Sequence, residues 1–587
     1  MSDYTPPVAD IGFLLSDVFS IDDLGESIPS FAEVNAEFAT SILEEAGRFF
    51  AETIQPLNLP GDEEGSRLVN GEVHTPKGFA QAYRAFSEAG WSALSGETEY
   101  GGQGLPRVLQ ILSDEMLSAA NLSFGLFPGL TRGASEAIAH HASDELKAAY
   151  LPKLITGEWT GAMALTEAGA GTDLGLLKTQ AAPQADGSYK ITGSKIFISS
   201  GDHDFGGNII HLVLARLPDA PKGVKGISLF LVPKFFLTDD GSQGARNTFS
   251  VGALEKKMGI HAQPTCVMNY DEATGWLVGE PNKGLAAMFT MMNAERLFVG
   301  IQGLGVADAA YQKAARYAKE RIQGRSADGK TPLVPIIEHA DVRKMLLTIR
   351  SFVEAARGLA IWTALEMDKA GGLSDPSERA VADGNVALLT PVIKAAFTDL
   401  GFEGAVLAQQ VFGGHGYIHE WGVEQFVRDA RIAQIYEGTN GVQAADLVGR
   451  KLSIDGGALP KHFFSLIEAD LTAAPESISD ISEPVREAFA LLQRATERLR
   501  GQTAADPSAP GAAATDYLRF FALVSLGWVW VRIAAAAEKQ AAGSDFHRNK
   551  LILARFFVSR VLPQVYGLDR ALEAGAQTIT ALPSDDF

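Results

Sequence analysis

One cysteine, Cys266, is all that 587 residues carry. That excludes a disulfide framework within the chain and fits a reducing compartment. Basic residues are scarce as well: 50 Lys and Arg against 71 Asp and Glu leave a formal charge of −21. A surface of that sign repels nucleic acid and anionic membranes, so neither is expected as a partner. No run of about 18 uncharged apolar residues occurs, the length a membrane span needs. The nearest, 520–531 (FFALVSLGWVWV), is bracketed by Arg519 and Arg532 and reads as a buried bundle helix. The N-terminus, MSDYTPPVADIGFLLSD, lacks the basic segment of a secretory signal. The expectation is a cytoplasmic protein with no integral membrane segment. Two catalytic signatures are missing too, the G-x-S-x-G nucleophile elbow and the H-E-x-x-H zinc helix.

What is present is a globular composition, 46% hydrophobic and 21% charged, on a chain too long for one core. Four stretches differ in texture. Residues 1–158 are helical in period, as in FAEVNAEFATSILEEAGRFFAETI (31–54) and PKGFAQAYRAFSEAG (76–90). Residues 159–285 carry short alternating or β-branched runs split by Gly, Asp and Pro, such as YKITGSKIFIS (189–199) and GISLFLVP (226–233). That is a β domain, a small barrel or sandwich, and its many turns argue against a parallel α/β sheet. Helical period returns over 286–454. A further Ala-rich helical block fills 455–587, interrupted by a loop at 502–515 (QTAADPSAPGAAAT).

The stretch 428–443, RDARIAQIYEGTNGVQ, sets Glu437 between Tyr436 and a Gly-Thr-Asn-Gly turn. As an isolated Glu-Gly pair this would be a surface residue at a helix end. In a pocket that excludes water, a carboxylate so placed gains basicity and becomes a proton acceptor near neutral pH. Upstream, AMALTEAGAGTDLG (162–175) is a Gly-rich loop that lets backbone N–H groups approach a ligand closely. It fails as a dinucleotide fingerprint, since position 174 is Leu and no strand–turn–helix unit surrounds it. GRSADGKT (324–331) satisfies the Walker A pattern, but a charged helical segment precedes it and Pro332 follows, so no NTPase is expected. His415 and His419 stand four apart across a Gly-containing turn, so no metal site is expected.

Taken together, the strings resemble the acyl-CoA dehydrogenase family. IYEGT matches the segment that carries its catalytic Glu, TEAGAGTD its TEPGAGSD loop, and GSKIFISSG its K-x-W-I-T-N-G stretch with Phe197 for Trp and Ser199 for Thr. The fourth match is QQVFGGHGY (409–417). The resemblance covers roughly 30–453 and implies an N-terminal helical domain, a central flavin-binding β domain and a C-terminal helical bundle. The appended 455–587 resembles the layout of the very-long-chain-type branch. Bacterial 3-methylmercaptopropionyl-CoA dehydrogenases share that layout and the opening YTPPVADIGFLL.

By this resemblance the reaction is FAD-dependent α,β-dehydrogenation of an acyl-CoA, within fatty acid metabolism. Glu437 takes the α-proton and also donates through its backbone N–H to the thioester oxygen, and an electron-transfer flavoprotein receives the electrons. FAD is expected to meet Leu165, Thr166, Gly171, Thr172, Phe197, Ser199 and Thr439. Arg325, Gln410, Gly413 and Gly414 are expected to reach FAD across a subunit interface, which requires at least a homodimer. Thr172, Arg296, Tyr436 and Gly438 are expected to meet substrate. Glu295, in MNAERLFVG, falls where some family members place the base, and the intact turn motif ranks Glu437 ahead of it. Gly129, Gly133 and Ala134 are small enough to admit a deep acyl pocket. Both 3-methylmercaptopropionyl-CoA and medium- or long-chain acyl-CoAs stay open as substrates. An acyl-CoA oxidase and a non-catalytic flavin-binding assembly protein stay open as alternatives.

Overall fold

A computed structural model describes residues 4–502 and 506–587. After a short α1 (Val8–Phe13), the N-terminal helices are α2 (Ala36–Phe49), α3 (Asn58–Glu64), α4 (Phe79–Glu88), α5 (Arg107–Ala120), α6 (Leu122–His141) and α7 (Asp144–Ile155). A hairpin of β1 (Arg67–Val69) and β2 (Glu72–His74) interrupts them, which helix periodicity alone does not announce. Asn121 separates α5 from α6: its backbone is extended and its side chain accepts from Phe124 N at 3.1 Å, capping the second helix.

The β region comprises β3 (Thr160–Ala164), β4 (Gln180–Pro183), β5 (Tyr189–Ser199), β6 (Ile209–Ala215), β7 (Ser228–Pro233), β8 (Phe235–Leu237), β9 (Gln243–Arg246), β10 (Phe249–Leu254) and β11 (Thr265–Val278). Its main sheet has seven strands in the order β3-β6-β7-β11-β5-β4, with β10 also on β11. The pairing is antiparallel except between β3 and β6, which run parallel.

Long helices follow: α8 (Gly284–Glu320), α9 (Ala340–Gly372) and α10 (Pro376–Val411), then α11 (Glu424–Ala433) and α12 (Asn440–Asp446). Where α8 crosses α10 the backbones touch. A β-carbon on Gly303 would lie 2.5 Å from Phe397 O, and one on Gly401 would strike Gly303 O. The final block is α13 (Ala458–Ala473), α14 (Ser479–Gln502), α15 (Ala509–Glu538), α16 (Asp545–Phe556) and α17 (Gln564–Glu573).

The loop expected over 502–515 is shorter than that. Pro510 sits in the first turn of α15, where its missing N–H costs nothing, and the alanines after it continue the helix. Residues 503–505 lie outside the described part. Helix α15 is apolar on all faces because neighbours surround it. Trp528 Nε1 donates to Asp470 on α13 at 2.7 Å, and Trp530 Nε1 to Ser351 O on α9 at 3.0 Å. By length and composition three segments, Pro376–Val411, Ala509–Glu538 and Asp545–Glu573, are apolar enough to cross a membrane, a point that counting uncharged runs misses. In the fold, 89% of the apolar window of Ala509–Glu538 is covered by protein.

Candidate active site

Between α11 and α12 the chain reverses through Glu437 (φ 57°) and Gly438 (φ 80°). Glycine takes a left-handed backbone without steric cost, whereas a residue with a β-carbon pays about 1–2 kcal/mol. Helix α10 enforces the shape. Lys394 Nζ donates to Gly438 O at 2.7 Å and Asn440 Oδ1 at 2.9 Å. Asn440 Nδ2 and Gln434 Nε2 both reach Asp399 Oδ1, at 2.7 and 2.6 Å. Gln443 Nε2 holds Glu437 O at 3.0 Å. The Glu437 backbone N–H donates to no described group. Thr439, whose Oγ1 caps α12 by accepting from Val442 N at 3.3 Å, is exposed.

The Glu437 side chain turns inward, and its Oε2 is covered and makes no hydrogen bond. Burial pushes its carboxyl up to about 7 against the pull of Arg296 and Lys394. Arg296, buried on α8, donates to Asn293 Oδ1 at 3.2 Å, and its Nε has no partner. The neighbouring Glu295 is 3% exposed. Burial first, then the charge of Glu437, hold its carboxyl well above the usual carboxylate range. Tyr436 OH donates to Gln302 Oε1, two helical turns along α8 from Glu295, and Gln302 Nε2 is buried without a partner. The Tyr436–Glu437 turn thus lies against the stretch of α8 that carries Glu295, Arg296 and Gln302.

The Gly-rich loop after β3 is fixed by a second buried lysine. Lys195 Nζ, on β5, donates to Leu165 O and Glu167 Oε1, both at 2.9 Å. Burial lowers its pKa to about 8 despite Glu167. Glu167 also accepts from Lys178 N at 2.6 Å and from Thr179 N and Oγ1 at 3.0 and 2.6 Å, so one carboxylate pins both ends of the loop. Thr166 O accepts from Ile196 N at 2.9 Å, setting Leu165 and Thr166 beside the Phe197–Ser199 end of β5. Phe197 has φ 60°, and its ring is 58% exposed. A strained backbone that holds an aromatic face in the open is a platform for a flat ligand.

The residues present fit a flavin. Gly169 and Gly171 have ordinary φ, and a β-carbon on either would meet nothing within 4 Å. Neither the turn nor internal packing requires glycine there, and the open space over the loop leaves its backbone accessible to a ligand. Thr172 is exposed beside them.

Four expected cofactor residues lie elsewhere. Glu295 is near the start of α8 and Arg325 follows its end, which separates them by roughly 37 Å of helix. Gln410 stands at the C-terminal end of α10 and Gly413 and Gly414 follow it, roughly 25 Å beyond Lys394. All four are exposed. Near them Tyr417 is 87% exposed beside an aromatic cluster of Tyr317, Phe412, His415 and Trp421. His415 Nδ1 pairs with Tyr317 OH at 2.8 Å and His419 Nδ1 with Glu424 at 2.7 Å. The Walker-like segment is an exposed loop with no strand before it and no helix opening on it.

The deep acyl pocket expected at Gly129, Gly133 and Ala134 is filled. The Phe298 ring packs on Gly129, the Glu295 carboxylate on Gly133, and Ala134 against Gly161 of β3. These small residues serve close packing of α6 on α8 and on the sheet. Sequence reading also missed Lys394, Lys195, Glu167 and Gln302. A lone lysine inside the apolar LLTPVIKAAF was the one available signal for Lys394.

Four family descriptions match the chain in sequence order. They are "Acyl-CoA dehydrogenase, N-terminal domain" over 37–158, "middle domain" over 162–273, "C-terminal domain" over 282–452, and "Acetyl-CoA dehydrogenase C-terminal like" over 463–583. A 3-methylmercaptopropionyl-CoA dehydrogenase of Ruegeria pomeroyi is 43% identical, over 98% of this chain and 99% of its own. A butyryl-CoA dehydrogenase of Syntrophomonas wolfei is 36% identical over 97% and 94%. Among solved structures, an acyl-CoA dehydrogenase complexed with FAD from Bacillus anthracis superposes with a TM-score of 0.75 at 21% identity, covering 95% of this chain and 91% of its own.

Proposed function

We propose a reaction for this chain, which belongs to the acyl-CoA dehydrogenase family: Glu437 takes the α-proton of an acyl-CoA while the β-hydrogen leaves as hydride, giving the trans-2-enoyl-CoA. The observation that carries the assignment is the Glu437 carboxylate, turned inward from a left-handed turn, its Oε2 without a partner and its pKa at about 7. A base with that value is half ionised at neutral pH and regains its proton affinity as the C–H bond breaks. Bound FAD supplies the hydride acceptor. Leu165, Thr166, Gly171, Thr172, Phe197, Ser199 and Thr439 hold it from one chain. A second copy contributes Arg325, Gln410, Gly413 and Gly414, which lie too far along α8 and α10 to serve the Glu437 of their own chain.

As the α-proton leaves, negative charge builds on the thioester oxygen, and the unengaged backbone N–H of Glu437 stabilises it. Arg296 and Lys394 keep the pocket positive enough for an anionic base. Tyr436 and Gly438 bound the acyl group, and Thr172 bounds the part of the substrate beyond the thioester. An electron-transfer flavoprotein takes the electrons. The substrate is a short acyl-CoA, 3-methylmercaptopropionyl-CoA or one of similar length. Phe298 on Gly129 and Glu295 on Gly133 leave little depth between α6 and α8, and the two similar dehydrogenases are named for short acyl groups.

The test is anaerobic mixing of the flavin-loaded protein with acyl-CoAs of graded length, followed by flavin bleaching. Glu437→Gln is expected to slow bleaching by ~10³-fold or more, at the upper end of what a positioned base provides. Bleaching by long-chain acyl-CoAs in preference to short ones would contradict the substrate assignment. Reoxidation faster with oxygen than with an electron-transfer flavoprotein would contradict the acceptor.

A further inference from the structure

Glu295 has no part in the reaction as written, yet the fold makes room for it. Glycine inside a helix costs ~1 kcal/mol relative to alanine. Gly133 sits inside α6 with an ordinary φ, and a β-carbon there would lie 2.7 Å from Glu295 Oε1 and 3.1 Å from Met291 Cγ. The slot therefore exists for the carboxylate. Charged groups on three elements bear on it: Asp114 on α5, Arg132 and Glu136 on α6, and Glu437 on the turn. None donates a hydrogen bond to it. Arg132 is committed to Asp114 at 2.5 Å, and Lys394 to the carbonyl and amide of the turn. Glu437 Oε2 and Glu295 are thus both buried with no cation bonded to either carboxylate, and the charge of Glu437 raises the pKa of Glu295. Two like charges so placed cannot both persist near neutral pH.

We propose that Glu295 and Glu437 form a carboxyl pair holding one proton in the resting enzyme, that proton residing on Glu295, so that Glu295 is a positioning residue which keeps Glu437 the sole anion of the pocket. The proposal rests on Glu437 being the base. On turnover the Cα–H bond breaks and an O–H bond forms on Glu437, the hydride pair leaving to the cofactor. Both carboxyls are then neutral, and Glu437 alone returns its proton to solvent as product departs. Glu295 is the more deeply buried of the two and accepts no hydrogen bond, whereas Glu437 lies within the pull of Arg296 and Lys394, and burial raises both carboxyls. Once pH is high enough to remove the pair's shared proton, Glu295 is charged as well. Its charge then opposes the negative charge building on the thioester, and the rate falls.

The test is the rate of flavin reduction against pH for the flavin-loaded parent and Glu295→Gln, with KM recorded at each pH. The variant is expected to keep the acid limb, to lose no more than about tenfold at neutral pH, and to decline more shallowly at alkaline pH by one ionisation. Lys394, held at about 8, titrates in both proteins, so the difference between profiles isolates Glu295. Gly133→Ala, which presses on the same carboxylate, is expected to move the alkaline limb too and gives an answer if Glu295→Gln does not fold. Superimposable profiles would overturn the pair. So would a Glu295→Gln rate as low as that of Glu437→Gln, because Glu295 would then be the base. Parental rates in Glu437→Gln would instead sink the function proposed above.

Discussion

The turn that aims Glu437 is held by Lys394, whose ammonium group is buried and reaches Gly438 O and Asn440 Oδ1. It also lies near enough to Glu437 to lower the carboxyl's pKa. Lys394→Met would leave both acceptors without a donor and remove that charge. The expected outcome is a rate of flavin reduction about 10²-fold lower, the order that a misplaced catalytic group costs. The acid limb should also shift to higher pH, because Glu437 holds its proton more tightly once the cation is gone. Unchanged flavin content in the purified variant would separate this from unfolding, and an acid limb that stays put would refute the electrostatic part. At this scale the sequence was half legible. Glu437, Thr166 and Phe197 stood in recognisable strings because the roles proposed for them tie each to particular neighbours along the chain. Lys394 and Lys195 were not visible, because each acts on a carbonyl far away in sequence, and only the folded chain brings lysine and carbonyl together.

Among the elements, α8 does most to position the site, with α6 on one side, α10 on another and Glu295, Arg296, Phe298 and Gln302 along it. Glycines let the three helices approach, and the identity of the opposing atom sets how costly a methyl group would be. At Gly133 the opposing atom is the end of a glutamate side chain, which can swing aside. At Gly129 it is the Phe298 ring, and at Gly303 it is the Phe397 backbone carbonyl, which cannot move without the whole of α10. Alanine gains ~1 kcal/mol of helix propensity at each position, while overpacking costs about 1–3 kcal/mol. Thermal unfolding midpoints should therefore fall in the order Gly133→Ala, Gly129→Ala, Gly303→Ala, with Gly133→Ala close to the parent. A Gly303→Ala midpoint at or above the parent's would mean that the helices can slide apart freely. The helical and β textures were readable because periods of 3.6 and 2 are written in local sequence. What filled the space beside a small residue was not. Gly129 and Gly133 read as room for a substrate and proved to be room for Phe298 and Glu295.

Across the whole molecule, one buried ionic cluster ties the ends of the chain to its middle. Arg357 on α9 pairs with Asp10 on α1, with Glu115 on α5 at 2.6 Å and with Asp308 on α8 at 3.4 Å. Lys550 on α16 pairs with the same Asp10 and with Glu354 at 2.7 Å, and Arg350 joins Glu354 at 2.7 Å. Four carboxylates meet three cations, so the cluster is one proton short of neutral. Burial, against the pull of Arg357, pushes Glu115 up to about 7, and burial raises Asp308 as well. Asp368 and Asp429 are both raised to about 6 by burial. A carboxyl whose folded pKa lies above its unfolded value of 4.5 binds more protons in the folded state between the two values. Its contribution is therefore complete below the unfolded value and is lost as pH rises through about 7. Asp10, held low by Lys550 and Arg357 in spite of burial, has the opposite sign, but its contribution is lost only in acid below its ordinary value of 3.8. The thermal midpoint at constant ionic strength should accordingly be higher at pH 6 than at pH 8. The net charge of −21 pulls the same way, since repulsion among surface carboxylates also relaxes as pH falls. Glu115→Gln separates the two causes: it removes one buried titration and leaves the surface almost untouched. The variant's midpoint should vary less between pH 6 and 8 than the parent's, because glutamine keeps the volume and has no proton to lose. An unchanged slope would take Glu115 out of the pH dependence and leave it to the other buried carboxyls and the acidic surface.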